Sequence, residues 1–171
     1  MSKKETFFVR FSLLIVLMLP LHAEITIGLL ISIESNQKMG LSYKNAYVGC
    51  EPFGVITLEK MVQNGANPQE CKNAVEKYYR AHPHDKVFAR EYLHIQQDYH
   101  YETIKEGCVL YGNGPESYSE MLLKNGLAVI DPAFDNAEWN TKLKRAQQGA
   151  LIQKTGLHDT LIQKFCIKGE K

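Results

Sequence analysis

Four cysteines and six histidines are the residues of this chain best suited by type to bind a metal or attack a substrate. The cysteines, Cys50, Cys71, Cys108 and Cys166, contain no C-x-x-C pair, which argues against zinc or dithiol redox chemistry. An even set of four instead reads as two disulfides, with three connectivities open. His82 and His84 form an H-x-H, and His94 and His100 lie in a tyrosine-rich stretch. Such histidines can hold zinc or copper, but they read more simply as surface or half-buried side chains. No G-x-S-x-G, Walker loop or H-E-x-x-H occurs, and no cofactor is implied.

The elements that would position these groups are legible in part. Residues 24–33 carry Ile25, Ile27, Leu29, Leu30, Ile31 and Ile33 and predict a strand. A polar turn over 34–38 leads to two further strands over 39–41 and 43–48. Gly49, Pro52 and Gly54 then break the pattern. A short helix is expected over 57–63. A longer one starts with Asn67 as cap and Pro68 in the first turn and runs to about Ala81. The partial alternation over 88–101 predicts a strand, and 104–111 another. Residues 116–126 hold a complete short helix, with Pro115 in its first turn and Gly126 as the left-handed stop. A last helix spans 138–154.

Composition sets the compartment and limits the partners. Lys3, Lys4 and Arg10 precede an apolar run from Phe11 to Leu21 that ends at His22-Ala23, the layout of a secretory signal peptide over 1–23. That run is shorter than the roughly 20 residues needed to span a bilayer, so no stable membrane span is expected after cleavage. The main domain is then 24–160 and the carboxy-terminal tail 161–171, in a periplasmic or secreted protein. Without Lys3, Lys4, Arg10 and Glu5, the 20 basic and 19 acidic side chains of the whole chain become 17 and 18. A near-neutral domain lacks the basic excess that holds nucleic acid by counterion release. Lys142, Lys144, Arg145 and Lys154 read as a solvated helical face. Tyr78, Tyr79, Tyr92, Tyr99, Tyr101 and Tyr111 read as core and protein-contact residues more than as base-stacking platforms.

Residues 104–158 resemble the carboxy-terminal half of the staphylococcal nuclease (thermonuclease) family. Tyr118, Ser119, Glu120, Leu122, Leu123, Lys124, Gly126, Leu127 and Ala128 fit that family's V-N-E-x-L-[VL]-[RK]-x-G-L-A helix. Ala146, Ala150, Gly156 and Leu157 fit its last helix, with His158 where the family usually has Trp. The resemblance implies an α+β fold, a five-stranded OB-type Greek-key β-barrel with flanking helices. It also implies four catalytic places: a D-G-D-T turn, an arginine in the third strand, a D-[TA]-P-E segment and a Y-G-R turn. A divalent cation on hard oxygens and two guanidinium clamps are what phosphodiester hydrolysis needs there. Laid along that pattern, this chain has Asn36 for the ligand aspartate and Asn45 for the strand arginine. Cys50 and Phe53 replace the aspartate and glutamate of the third place, and Glu106 replaces the last arginine. A shift of one residue would offer Glu51 as a ligand without restoring the pair. The expectation is a divergent member without catalysis, an exported scaffold or protein-binding module of the bacterial cell envelope, in a setting such as a secretion or motility machine. The alternative is a secreted calcium-dependent nuclease.

Overall fold

The computed structural model describes residues 25–64, 68–104, 107–112 and 114–167. The expected signal peptide, the Asn67 cap and Glu106 lie outside the described residues. No helix of the described residues is long and apolar enough to cross a membrane.

The architecture is α+β. A five-stranded antiparallel sheet has the order β3-β2-β1-β5-β6, built from β1 (Thr26–Ile33), β2 (Met39–Tyr43), β3 (Ala46–Cys50), β5 (Asp98–Ile104) and β6 (Gly107–Leu110). A second, two-stranded sheet pairs β4 (Val55–Thr57) with β7 (Ala128–Ile130). The large sheet curls into a half-barrel. Its outer strands β3 and β6 are linked by the Cys50–Cys108 disulfide, a parallel bridge between Pro52 and Cys108, and a 2.9 Å hydrogen bond from the Cys108 N–H to the Glu51 carbonyl.

The sheet's inner face follows from the alternation of β1, which points Gly28 and Leu30 inward and Ile27, Leu29 and Ile31 outward. Leu30 pairs with Leu41, and Ile33 with Met39, all buried. A bulge between Leu30 and Ser32 keeps Ile33 on the inner side. Helices α1 (Leu58–Asn64), α2 (Pro68–Ala81), α5 (Tyr118–Lys124) and α6 (Ala137–Gln153) contribute Leu58, Val75, Leu122, Leu123 and Leu143 to the same core.

Two expectations are corrected. The stretch 88–92, expected as strand, is the short helix α4 (Phe88–Tyr92), preceded by α3 (Pro83–Lys86); the strand begins only at Asp98. Phe88 and Ala89 are adjacent and both buried, which the alternating faces of a half-buried strand would not give. Pro115 lies ahead of α5, whose cap is Ser117. The Ser117 hydroxyl accepts from the Glu120 N–H and the Glu120 carboxylate accepts from the Ser117 N–H, a capping box. Asn136 caps α6 by accepting from the Trp139 N–H.

The stop of α5 follows the expected chemistry. Gly126 has φ +68°, the Leu127 N–H reaches back to the Leu122 carbonyl at 2.8 Å and the Gly126 N–H to Leu123 at 3.1 Å, a Schellman closure. Gly156, also left-handed at φ +57°, packs directly on it, and the Leu157 N–H donates to the Gly126 carbonyl at 2.6 Å. A Cβ on either glycine would collide with the other segment's backbone. The two glycines matched to the nuclease pattern on separate helices therefore form one joint. Beyond a 3-10 turn (Gly156–His158) lies the helix α7 (Thr160–Cys166), bound to α2 by Cys71–Cys166.

Candidate functional site

The places where hydrolytic groups would stand are occupied by parts of the fold. Asn36, in the turn after β1, is only 1% exposed. Its Nδ2 donates to the Asp85 carbonyl at 2.8 Å, and its Oδ1 accepts from the Ala89 N–H at 2.9 Å. Its own carbonyl accepts from the Tyr118 hydroxyl at 3.4 Å. One amide thus satisfies a donor and an acceptor at α3 and α4, which an ionised aspartate could not do because it has no donor.

Asn45 is not on a strand. With Lys44 it forms the two-residue turn between β2 and β3, both with positive φ (48° and 64°), the type I′ geometry of a tight hairpin. Asparagine tolerates that conformation, and this was the signal for a turn in Tyr43-Lys44-Asn45-Ala46. Cys50 is consumed by its disulfide. Phe53 is fully buried and packs edge-on against Phe134 and Trp139, at centroid distances of 5.8 and 4.7 Å. The Ser119 hydroxyl donates to the Phe53 carbonyl at 2.9 Å, fixing α5 to this segment.

Of the two acidic side chains beside this turn, Glu34 pairs with Lys38 at 3.0 Å, and Glu51 accepts from Gln37 Nε2 at 2.9 Å. Gln37 in turn accepts from the buried Thr57 hydroxyl at 2.6 Å. Among the described residues no three His, Cys, Asp or Glu side chains converge on a point that could hold a metal ion. The histidines are dispersed: His82 stacks on Tyr78, His84 pairs with Glu91 at 2.7 Å, and His94 and His100 are exposed. Hydrogen bonding and the charge of Glu91 raise the pKa of His84. His158 is nearly buried, and burial lowers its pKa; its Nε2 has no hydrogen-bond partner among the described residues.

A cavity that could take a ligand lies elsewhere, between α1 and α2. A cavity of about 530 Å³ is walled by Glu59, Val62 and Gln63 of α1, by Lys72, Val75, Glu76, Tyr79 and Arg80 of α2, and by Lys86 of α3. A smaller one of about 240 Å³ shares Glu59, Tyr79 and Lys86 and reaches Asn36 and Arg90. At their junction the Tyr79 hydroxyl donates to Glu59 Oε1 at 3.0 Å. Burial, then the charge of Glu59, pushes the Tyr79 pKa far up, so it stays a phenol and a donor. Glu59 Oε2 is buried and has no partner among the described residues. Nothing in the sequence joins Glu59 to Tyr79; only the packing of two helices brings them together.

Of the expected tyrosines, Tyr78, Tyr99 and Tyr101 are buried and Tyr92 is exposed. Lys142, Lys144, Arg145 and Lys154 are exposed on or just past α6, as a solvated helical face would be. No family model matches the chain, and no curated protein matches it.

Proposed function

We propose that the chain is a non-catalytic, exported binding module, a nuclease-like OB-type Greek-key barrel whose partner is another protein of the bacterial cell envelope. A secretion or motility assembly is the setting this reading favours. One observation carries it: Asn36, Cys50 and Phe53, three positions where the nuclease pattern places metal ligands and the water-activating acid, are spent on a hydrogen-bonded brace, a disulfide and an aromatic core.

The barrel reading is supported by the strand order β3-β2-β1-β5-β6 together with the covalent and hydrogen-bonded link between β3 and β6. Two disulfides suit an oxidising compartment. The protein partner is favoured by the outer face of β1, where Ile25, Ile27, Leu29 and Ile31 are 38–58% exposed beside the exposed Tyr47 of β3. Asp98 and His100 pair alongside Leu29 and Ile27, and none of the five sheet strands contains Lys or Arg. An apolar, tyrosine-bearing face without cations fits a protein surface better than a polyanion.

The experiment pairs two assays on the exported chain. Incubation with DNA and calcium should release no acid-soluble nucleotide; chelator-sensitive release would instead establish a calcium-dependent nuclease. A photo-crosslinking residue at Leu29 should trap one defined envelope protein in intact cells, whereas one at Lys144 should not. Equal labelling from both positions would end the sheet-face reading.

A further inference from the structure

We propose that the α1–α2 cleft binds a small zwitterion with an apolar body, an apolar α-amino acid or a peptide of two or three residues. In this assignment its ammonium is held by Glu59 and its carboxylate by the cationic rim. The site is separate from the outer face of β1 and stands or falls independently of a protein partner there.

The argument starts at Glu59. Oε1 is taken by the Tyr79 hydroxyl, while Oε2, withdrawn from solvent, has no donor among the described residues. A desolvated carboxylate oxygen is costly unless a donor, best a charged one, is brought to it. Tyr79 cannot serve both oxygens with one proton, so Oε2 gains a donor when the carboxylate turns toward the cavity and meets an N–H group of a ligand.

The rim has the opposite sign. Lys72 and Arg80 lie two turns apart on one side of α2, about 12 Å along the helix, and Lys86 faces them from α3. All three are exposed and none has a salt-bridge partner among the described residues. Besides Glu59, Glu76 is the only acid lining the cavity among the described residues. A bare metal cation would meet this rim first, and a simple anion would meet Glu59; a ligand carrying both charges satisfies both. Val62 and Val75 supply an apolar part of the wall for the body of such a ligand. A cavity of about 530 Å³ is within the usual size of small-ligand sites.

The test is titration calorimetry of the exported chain with leucine and with leucyl-alanine, each beside N-acetyl-leucine and leucinamide. Saturable binding of at least one zwitterion is expected, with either blocked derivative weaker by about 10-fold or more. Whichever of leucine and the dipeptide binds tighter identifies the source, a free amino acid or a peptide. Glu59→Gln should weaken binding about 10- to 100-fold, because the charge is lost while the shape stays. Arg80→Gln should weaken the zwitterion and leave the affinity for leucinamide unchanged. No saturable binding at millimolar ligand overturns the assignment, as does N-acetyl-leucine binding as tightly as leucine. An unchanged affinity in a folded Glu59→Gln variant does the same. If that variant fails to fold, Arg80→Gln on the exposed rim and the blocked ligands on the unaltered chain decide the matter.

Discussion

Two polar neighbourhoods meet near the β1–β2 turn, and they are built on opposite terms. Around Asn36, Gln37, Glu51 and Thr57 each of the four side chains has a partner: amide to carbonyl, amide to carboxylate, hydroxyl to amide. Around Glu59, two residues beyond Thr57, a carboxylate oxygen is left over and three cations line a cavity. The first arrangement contributes to stability, since every desolvated group is matched. The second contributes little to stability or works against it. Of the positions that the nuclease resemblance marks, Asn36 falls in the first neighbourhood.

Variants can break this contrast. The largest effect should come from Phe53→Glu, which introduces the acid that the nuclease resemblance would place there but buries a carboxylate beside Phe134 and Trp139. Loss of the ring alone typically costs about 3–5 kcal/mol, and the unpaired charge adds to it. No cooperative thermal transition should remain, and a variant melting normally would show that the segment is looser than its packing indicates.

Next is the double change Cys50→Ala with Cys108→Ala. The bridge spans 58 residues and joins β3 to β6. Its removal should lower unfolding free energy by about 2–4 kcal/mol in urea. Asn36→Asp follows, at about 1–3 kcal/mol, because the Asp85 carbonyl loses its donor. If Asn36→Asp were neutral in a urea melt and also bound calcium, the brace would be a dormant metal site after all.

A smaller, pH-dependent effect belongs to His158. Burial holds its folded pKa below 6.5, so the folded chain keeps it neutral. Above about 6.5 both states are neutral; as pH falls, the unfolded chain takes the proton first, and stability drops through the lowered folded value. His84 works the other way. Its raised pKa gives a contribution present below 6.5 that fades as pH rises through the folded value. Melting temperature against pH for His158→Gln should lose the acid-side decline alone. Smallest of all, Glu59→Gln should change stability by less than about 1 kcal/mol, since Tyr79 can still donate to the amide oxygen. A large loss would move Glu59 from the second neighbourhood into the first.

Local signals carried much of the fold and almost none of the site. Pro68 at a helix start and Gly126 at a stop are decided within a few residues, and β1 and α2 are found where the pattern puts them. The helix α4 was hidden because Asn36, 53 residues away, satisfies its Ala89 N–H. The β4–β7 pair was hidden for the same reason: Val55, Ile56 and Thr57 gain meaning only opposite Ile130, Val129 and Ala128. Glu59 and Tyr79 carry no motif, since a desolvated oxygen is a property of packed helices. The cysteine count gave two bridges, while their pairing depended on which strands and helices became neighbours.

The joint between Gly126 and Gly156 has a kinetic corollary. The Leu157 amide hydrogen sits where two crossing main chains leave no space for solvent, held by the Gly126 oxygen. In heavy water it should be among the last to exchange, and an early exchange there would report that the crossing opens before the rest of the molecule does.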